Sequence, residues 1–552
     1  MNAILVDRSA GNLGHNALAR HHYTQLARAF RPAHRLRFDG GELGSNIETE
    51  DDRGSFDTAP SSCSSNGRDL WAHQAGVNAL ALERFDGRIL ISGGSDATIR
   101  IWDLEQAADP SDHTFRPVAE IIRAGSSAAT IGPFRRQQHQ QPATQAQTSR
   151  ASPGHRFGVT HLSFYPFDSA AFLSSSFDQT LKLWATDSAR LSGSFELGSK
   201  VYSHAISPVA DHLLVACATQ HPAVRLVDLR SGAAVQSLVA PGQVAGAVLS
   251  VAWSPRSEHI LASGAVDGTV RIWDIRRASG LVSLLDHEDS LGLTHRENGE
   301  PRQSSYRASA KAHTGPVNGL TWTSDGSYLV SAGHDRRIRV WDMATGANTL
   351  VSFGPSVRNS GLSSIPMFVS PTGMTPPREE LLFWPNESEI IVFRLHDGSV
   401  VTRLRGMGPS QFAVRMAEST PAPSTTPPLS SRSPSRPPPS NPRPAVVADR
   451  SSARRNRVTS LVWRGAGGLG SETGGVVMGG RDAMGGIYSG HLDGQIRAWT
   501  PQVATSTTGE DEDELADNDA DAAPQAVEER QRKRRALDQA YRSLMGTQIT
   551  FR

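Results

Sequence analysis

Three histidines of this chain stand at nearly the same distance from a serine and an aspartate: His73 with Ser92 and Asp96, His155 with Ser174 and Asp178, and His313 with Ser331 and Asp335. A serine, an imidazole and a carboxylate are the parts of a nucleophilic relay, in which the ring takes the hydroxyl proton and the carboxylate orients the ring. Recurrence argues against that use here. A catalytic set occurs once, whereas a structural set returns with every repeat it supports. A tryptophan follows each aspartate six residues on, at Trp102, Trp184 and Trp341. The same serine, aspartate and tryptophan spacing returns at Ser263, Asp267, Trp273 and at Ser489, Asp493, Trp499, where no obvious matching histidine precedes it. No phosphate-cradling glycine loop precedes a lysine and no metal-ligand cluster stands out, so the chain is expected to be non-catalytic and to need no cofactor.

The elements that position these residues are short strands. Around the fourth triplet, residues 316–323, 328–331 and 337–342 alternate like strands, 334–336 form a tight turn, and 348–352 would add a fourth strand. Four strands in roughly 40 to 45 residues, with these signature positions, resemble the WD-repeat family, whose blades are four-stranded sheets set around a channel. In that family the histidine, the serine, the turn aspartate and the tryptophan form a hydrogen-bonded network within one blade, and such partners would offset the desolvation of a buried carboxylate. Two degenerate units complete the count. Residues 201–206, 212–217 and 223–229 read as strands between the second and third triplets, and 380–384, 389–395 and 399–404 read so after the fourth. The expected fold is all-β, a seven-bladed WD40 β-propeller spanning residues 33–503, with a closing strand near 34–39.

Composition sets the outer limits. The formal net charge is +1 over 552 residues, which lacks the basic field expected where nucleic acid is the main ligand. Only Cys63 and Cys217 occur, too few for a disulfide framework or a cysteine-based zinc site, and a reducing compartment fits. No stretch approaches the roughly 20 apolar residues of a membrane span, and the start shows no signal-peptide pattern. Polar insertions at about 135–152, 286–309 and 418–452, the last rich in proline and serine, are expected to be disordered. The tail, 504–552, turns from acidic to basic at Arg532, Lys533, Arg534 and Arg535, which reads either as a nuclear import signal or as the charged face of a short helix.

Several phrases are more specific than the repeat. FYPFDSAAF from Phe164, SSSFDQTLKLW from Ser174, VYSHAISP from Val201, WDIRRASG from Trp273, AHTGPVNGLTWTSDG from Ala312 and GANTLVSFG from Gly346 together resemble the Cockayne syndrome A family. The likeness is strong over the first five blades and holds only in outline over the last two. It implies a substrate receptor of a cullin-4 RING ubiquitin ligase, attached through the adaptor damage-specific DNA-binding protein 1. Such a receptor acts in the nucleus in transcription-coupled nucleotide excision repair, with stalled RNA polymerase II and repair factors as partners and no sequence-specific nucleic acid binding of its own.

The same resemblance carries two adaptor-docking expectations. Receptors of this kind use a WD-x-R signature, which Trp273, Asp274, Ile275 and Arg276 match in full and which Val227, Asp228, Leu229 and Arg230 match but for the tryptophan. An N-terminal helical segment, residues 1–32, would dock as well: Leu18, Tyr23, Leu26 and Phe30 fall near helical spacing, with Arg20 and Arg28 between them and Pro32 as a stop. The alternative is a helix lying on the propeller's own face. Trp184-Ala185 and Trp499-Thr500 depart from the family dipeptide, and the insertions have no counterpart in it. A different reading of the whole chain is a generic propeller scaffold in a chromatin or RNA-processing assembly. The basic runs Arg336-Arg337 and Arg454, Arg455, Arg457 read as solvated loop charge.

Overall fold

The computed structural model describes residues 9–11, 14, 24–25, 27–41, 70–107, 113–125, 153–239, 246–277, 280–290, 310–371, 375–376, 378–405, 457–464 and 486–501. Tyr23 and Leu26, the 135–152 and 418–452 insertions and the 504–552 tail lie outside these residues.

The described strands make seven antiparallel blades, each numbered here in chain order and built from the centre outward. Blade 1 is Val77–Leu82, Ile89–Gly94, Ile99–Asp103 and Pro117–Ile121; blade 2 is Val159–Phe164, Ala171–Ser176, Thr180–Ala185 and Arg190–Glu196. Blade 3 is Val201–Ile206, Leu214–Thr219, Val224–Asp228 and Ala233–Leu238; blade 4 is Val248–Trp253, Ile260–Ala265, Val270–Asp274 and Leu281–Leu284. Blade 5 has three strands, Val317–Trp322, Tyr328–Gly333 and Ile338–Asp342. Blade 6 is Phe368–Val369, Leu381–Pro385, Ile390–Arg394 and Val400–Leu404, and blade 7 combines Val458–Arg464, Gly486–His491 and Ile496–Pro501 with Phe30–Pro32.

A blade buries both faces against its neighbours, so its middle strands are apolar or small throughout rather than alternating. Ile89–Gly94 and Ala171–Ser176 are buried at every residue but the first, while the outer strand Arg190–Glu196 alternates exposed with covered positions. The hydrophobic core is therefore divided into seven clusters, one in each seam between adjacent blades. Burial in seven seams stabilises the ring only if the ring closes, since an open end would expose one whole apolar face.

Side chains at the start of the innermost strands stitch blade to blade. Six of these strands begin with a buried valine and shift register at the next residue, a bulge that turns that residue away from its own ladder. Asn78 donates to the carbonyl of Val159 at 2.8 Å, and Asn318 donates to that of Gly361 at 2.7 Å. Thr459 of blade 7 donates to the carbonyl of Val77 of blade 1, which joins the last blade to the first.

Four sequence expectations change. The closing strand is Phe30–Pro32, paired with the outer edge of Ile496–Pro501, and not residues 34–39. Leu36–Phe38 within that range instead runs parallel to His113–Phe115, where Phe38 stacks on Phe115 at 4.9 Å and meets Trp102 edge-on at 5.2 Å. The expected fourth strand of blade 5 shrinks to one bridge, Trp341 to Asn348, because Leu350 takes a left-handed φ of 60° that no strand can follow. Asn348 reaches back to the carbonyl of His287 at 2.9 Å, so the first residues of the 286–309 insertion, expected to be loose, are held in place; 291–309 lie outside the described residues. The helical segment also ends earlier than its apolar spacing suggests. Residues 27–29 are helical, but Phe30 already belongs to the closing strand and is buried with Ala27 in the seam between blades 6 and 7.

Candidate functional site

The signature residues meet as their spacing predicts. In blade 2 the second strand carries Ser174, the turn after it Asp178, the third strand Trp184, and the loop before the first strand His155. Trp184 Nε1 donates to Ser174 Oγ at 2.7 Å, His155 Nε2 lies 2.7 Å from the same hydroxyl, and His155 Nδ1 lies 2.9 Å from Asp178. The carboxylate assigns the ring proton to Nδ1, so Nε2 accepts from the serine. Blade 1 repeats this with His73, Ser92, Trp102 and Asp96, and blade 5 brings together His313, Ser331, Trp341 and Asp335, with Arg339 Nη1 also 2.7 Å from His313 Nδ1.

This wiring uses up the chemistry. Each serine hydroxyl is fully buried beneath the indole that donates to it and the imidazole it bonds, so no substrate can reach it for attack. Burial drives the pKa of His73, His155 and His313 below the ordinary imidazole value, against the pull of their aspartates. Burial also works to raise the carboxyl of Asp96, but donors from His73 and Thr98 outweigh it and lower it from 3.8 to about 2. The carboxyls of Asp178 and Asp335 are depressed further, by the same balance with His155 and His313. The sets hold blades together.

Blade 7 contains a histidine that the spacing missed. His491 Nε2 lies 2.8 Å from Ser489 Oγ, which also takes the Trp499 indole proton at 2.9 Å. Here the ring comes from the second strand itself, two residues past the serine. That position is Gly94 in blade 1 and Gly333 in blade 5, and a Cβ on either would meet the Nδ1 of His73 at 2.5 Å or of His313 at 2.6 Å. One imidazole fits in this space, delivered from the loop or from the strand, so a small residue exchanged for histidine was the signal available. The polarity also reverses: Arg497 donates to His491 Nδ1 at 3.2 Å and pairs with Asp493 at 2.8 Å, which leaves Nε2–H to donate to the serine. Blade 4 has no histidine among the described residues of its network. There Ser263 takes only the Trp273 indole, at 2.8 Å, and Asp267 turns to Thr269 and Arg271.

The second set of candidates lies two residues past the third strand. In blade 4, Arg276 donates through Nε and Nη2 to the two oxygens of Asp274, at 3.1 and 3.0 Å, while its side chain stays 64 % exposed and the carboxylate 5 %. The Arg276 guanidinium holds the Asp274 carboxyl below its usual range. The fork is thus fixed in direction, with Nη1 making no hydrogen bond among the described residues. In blade 3, Arg230 occupies the matching place: its main-chain N–H caps Asp228 at 3.0 Å and its side chain is exposed. Blades 1, 2, 5 and 6 place Glu105, Asp187, Ala344 and His396 there, so the two arginines mark adjacent blades only. Phe30, expected beside them as a docking residue, is instead a core residue at 3 % exposure, because the outer edge of blade 7 needs a strand to pair its main chain.

Seven apolar seams between blades, indole-to-serine bonds in five blades and a strand borrowed from the chain's start define a WD-repeat β-propeller. The WD domain, G-beta repeat family matches residues 64–103, 147–185, 235–274 and 304–342, which end with the third strands of blades 1, 2, 4 and 5. The chain is 31% identical over 391 residues to the WD repeat-containing protein ATCSA-1 of Arabidopsis thaliana, covering 60% of this chain and 79% of that protein. It belongs to the WD40 repeat family that includes that relative. It is also 23% identical to Radiation-sensitive protein 28 of Saccharomyces cerevisiae, over 48% of this chain and 65% of that one. Ribosome biogenesis protein YTM1 of Phaeosphaeria nodorum is 27% identical, over 49% of this chain and 55% of its own length. The chain thus spans less than two thirds of the latter two relatives.

Proposed function

We propose that this chain is the substrate-receptor subunit of a cullin-4 RING ubiquitin ligase, acting in the nucleus in transcription-coupled repair at stalled RNA polymerase II. The observation that carries the reading is the pair Arg276 and Arg230, at one position in adjacent blades, within a chain whose phrases resemble the Cockayne syndrome A family. Similarity to ATCSA-1 and to a yeast protein named for radiation sensitivity supports a repair role. Arg276 is pre-formed for recognition: Asp274 holds one edge of its guanidinium, and the exposed remainder can donate to carboxylates or carbonyls of the adaptor, damage-specific DNA-binding protein 1. The receptor itself performs no bond chemistry on the target and positions it for the ligase's transfer machinery.

Adaptor capture tests this. Arg276→Glu together with Arg230→Glu is expected to abolish co-purification of the adaptor while the melting temperature stays near that of the wild type. Undiminished capture by the double variant refutes the docking model. The N-terminal segment needs a different cut. Deleting residues 1–32 also removes the closing strand, so the deletion that tests docking must stop before residue 24. Similarity to YTM1 over the repeats favours one second reading, a scaffold in a ribosome-biogenesis or other RNA-processing assembly, for which the adaptor would be absent and pre-ribosomal particles would co-purify.

A further inference from the structure

The blades of one chain act as controls for one another at a basic residue two places before the tryptophan. Arg100, Lys182, Arg271, Arg339 and Arg497 hold this place, and each spends its charge inside its own blade. Arg100 pairs with Glu120 at 2.9 Å, Lys182 donates to the carbonyls of Pro153 and Gly154 at 2.7 Å, and Arg271, Arg339 and Arg497 pair with Asp267, Asp335 and Asp493 at 2.9, 2.8 and 2.8 Å.

Blade 3 keeps the cation and has lost its partner. Arg225 lies opposite Cys217 in the ladder as Lys182 lies opposite Ser174, which places Cys217 at the serine position, His221 at the turn aspartate and Val227 at the tryptophan. His221 preserves the turn: its Nδ1 accepts from the main-chain N–H of Ala223 at 3.2 Å, as Asp178 accepts from that of Thr180 at 3.1 Å. An imidazole brings no negative charge, however. The Arg225 guanidinium makes no hydrogen bond or ion pair among the described residues, and its shielded Nε has no partner. In the loop before the first strand, Ser199 Oγ is likewise buried without a partner, and Lys200 beside it is exposed.

Apolar surface adjoins this end of blade 3. The main-chain N–H of Phe177 bonds the carbonyl of Gly158 and that of Gln220 bonds the carbonyl of Lys200, repeating in blades 2 and 3 the bonds of Ser95 to Gly76 and of Val266 to Ala247. Phe177 and Gln220 therefore occupy one rim in adjacent blades. Phe177 is 37 % exposed, meets Tyr202 of blade 3 edge-on at 6.1 Å, and is followed on the same rim by Phe157 at 59 %.

We propose that the seam of blades 2 and 3 on this rim docks an acidic peptide segment of a partner protein, with a carboxylate on Arg225 and a neighbouring apolar side chain against Phe177, Tyr202 and Phe157. A lone, partly buried guanidinium binds one carboxylate in a fork and the apolar side chains beside it suit a peptide, whereas a nucleic-acid backbone is favoured by a broad basic field, which a chain of net charge +1 lacks. The site is independent of the arginines past the third strands.

Fluorescence polarisation of the full chain tests this with two probes, a labelled peptide of alternating glutamate and phenylalanine and a labelled single-stranded oligonucleotide. Arg225→Gln is expected to weaken peptide binding roughly tenfold, the loss of one charge-assisted pair. His221→Asp returns to the turn the carboxylate that blades 4, 5 and 7 use; it should weaken the peptide as much and raise the melting temperature. Arg190→Gln, on the exposed outer strand of blade 2, should change neither. Unchanged peptide affinity in His221→Asp, no saturable peptide binding by the wild type, or tighter binding of the oligonucleotide than of the peptide overturns the proposal.

Discussion

Replacing Ser174 by alanine removes one oxygen from blade 2 and leaves two buried groups without a partner, the Trp184 indole N–H and the Nε2 of His155. Each buried polar group stranded in this way costs about 1–3 kcal/mol, so Ser174→Ala should destabilise by about 2–6 kcal/mol. Blade 4 supplies the control. Ser263 is equally buried and holds its own tryptophan at 2.8 Å, but no histidine bonds it, so Ser263→Ala strands one group and should cost about 1–3 kcal/mol. The informative quantity is the difference between the two variants, one stranded imidazole or about 1–3 kcal/mol, because the removed atom and the lost indole bond are the same. Equilibrium unfolding in urea, followed by tryptophan fluorescence, measures it as a shift in midpoint at constant slope. Equal losses, or a larger loss for Ser263→Ala, would mean that the histidine contributes nothing to its blade and that the network is only an indole-to-serine bond.

Acid should act on this fold in two stages. His73, His155 and His313 have folded pKa values below the usual 6.5, so the folded state binds fewer protons than the unfolded chain and stability falls as pH drops below about 6.5. Asp96 is lowered from 3.8 to about 2, so its contribution, at most about 2 kcal/mol, is present above pH 3.8 and lost as pH falls through about 2; Asp96→Asn should flatten that lower limb of a stability profile. Gly333→Ala forces a Cβ to within 2.6 Å of the His313 ring and should cost about 1–3 kcal/mol in thermal melts, whereas Ala265→Gly in blade 4, where no loop ring competes, should cost less. A chain starting at residue 33 should lose its cooperative melt, because Ile496–Pro501 would present an unpaired edge and the seam of blades 6 and 7 would lose Phe30; a chain starting at residue 23 should keep it.

Much of this was legible because repetition acts as an internal alignment. Five triplets located the second strand, the turn and the third strand of five blades, and the degenerate units at 201–229 and 380–404 were read from strand composition alone. The missed elements are those that the repeat does not encode. Phe368–Val369 is two residues long, next to Pro366, and becomes a strand only because Leu381–Pro385 offers it a ladder. Phe30 has helical spacing with Leu26, yet the outer edge of blade 7 captures it as a strand. His491 was overlooked because a network can be completed from either side of the same space.

The order of residues by itself determined which groups could bond within a blade, since the serine, the turn and the tryptophan lie a few residues apart and their meeting needs only a hairpin. It also set the two arginines past the third strands, which are read by position. Tertiary structure decided what joins distant parts of the chain: which strand closes the ring, which histidine fills blade 7, and that Arg276 is held by Asp274 while Arg225 is left without a carboxylate. Those outcomes depend on which edge stays unpaired and which cavity stays empty once seven seams have packed, and neither is a property of any local stretch of sequence.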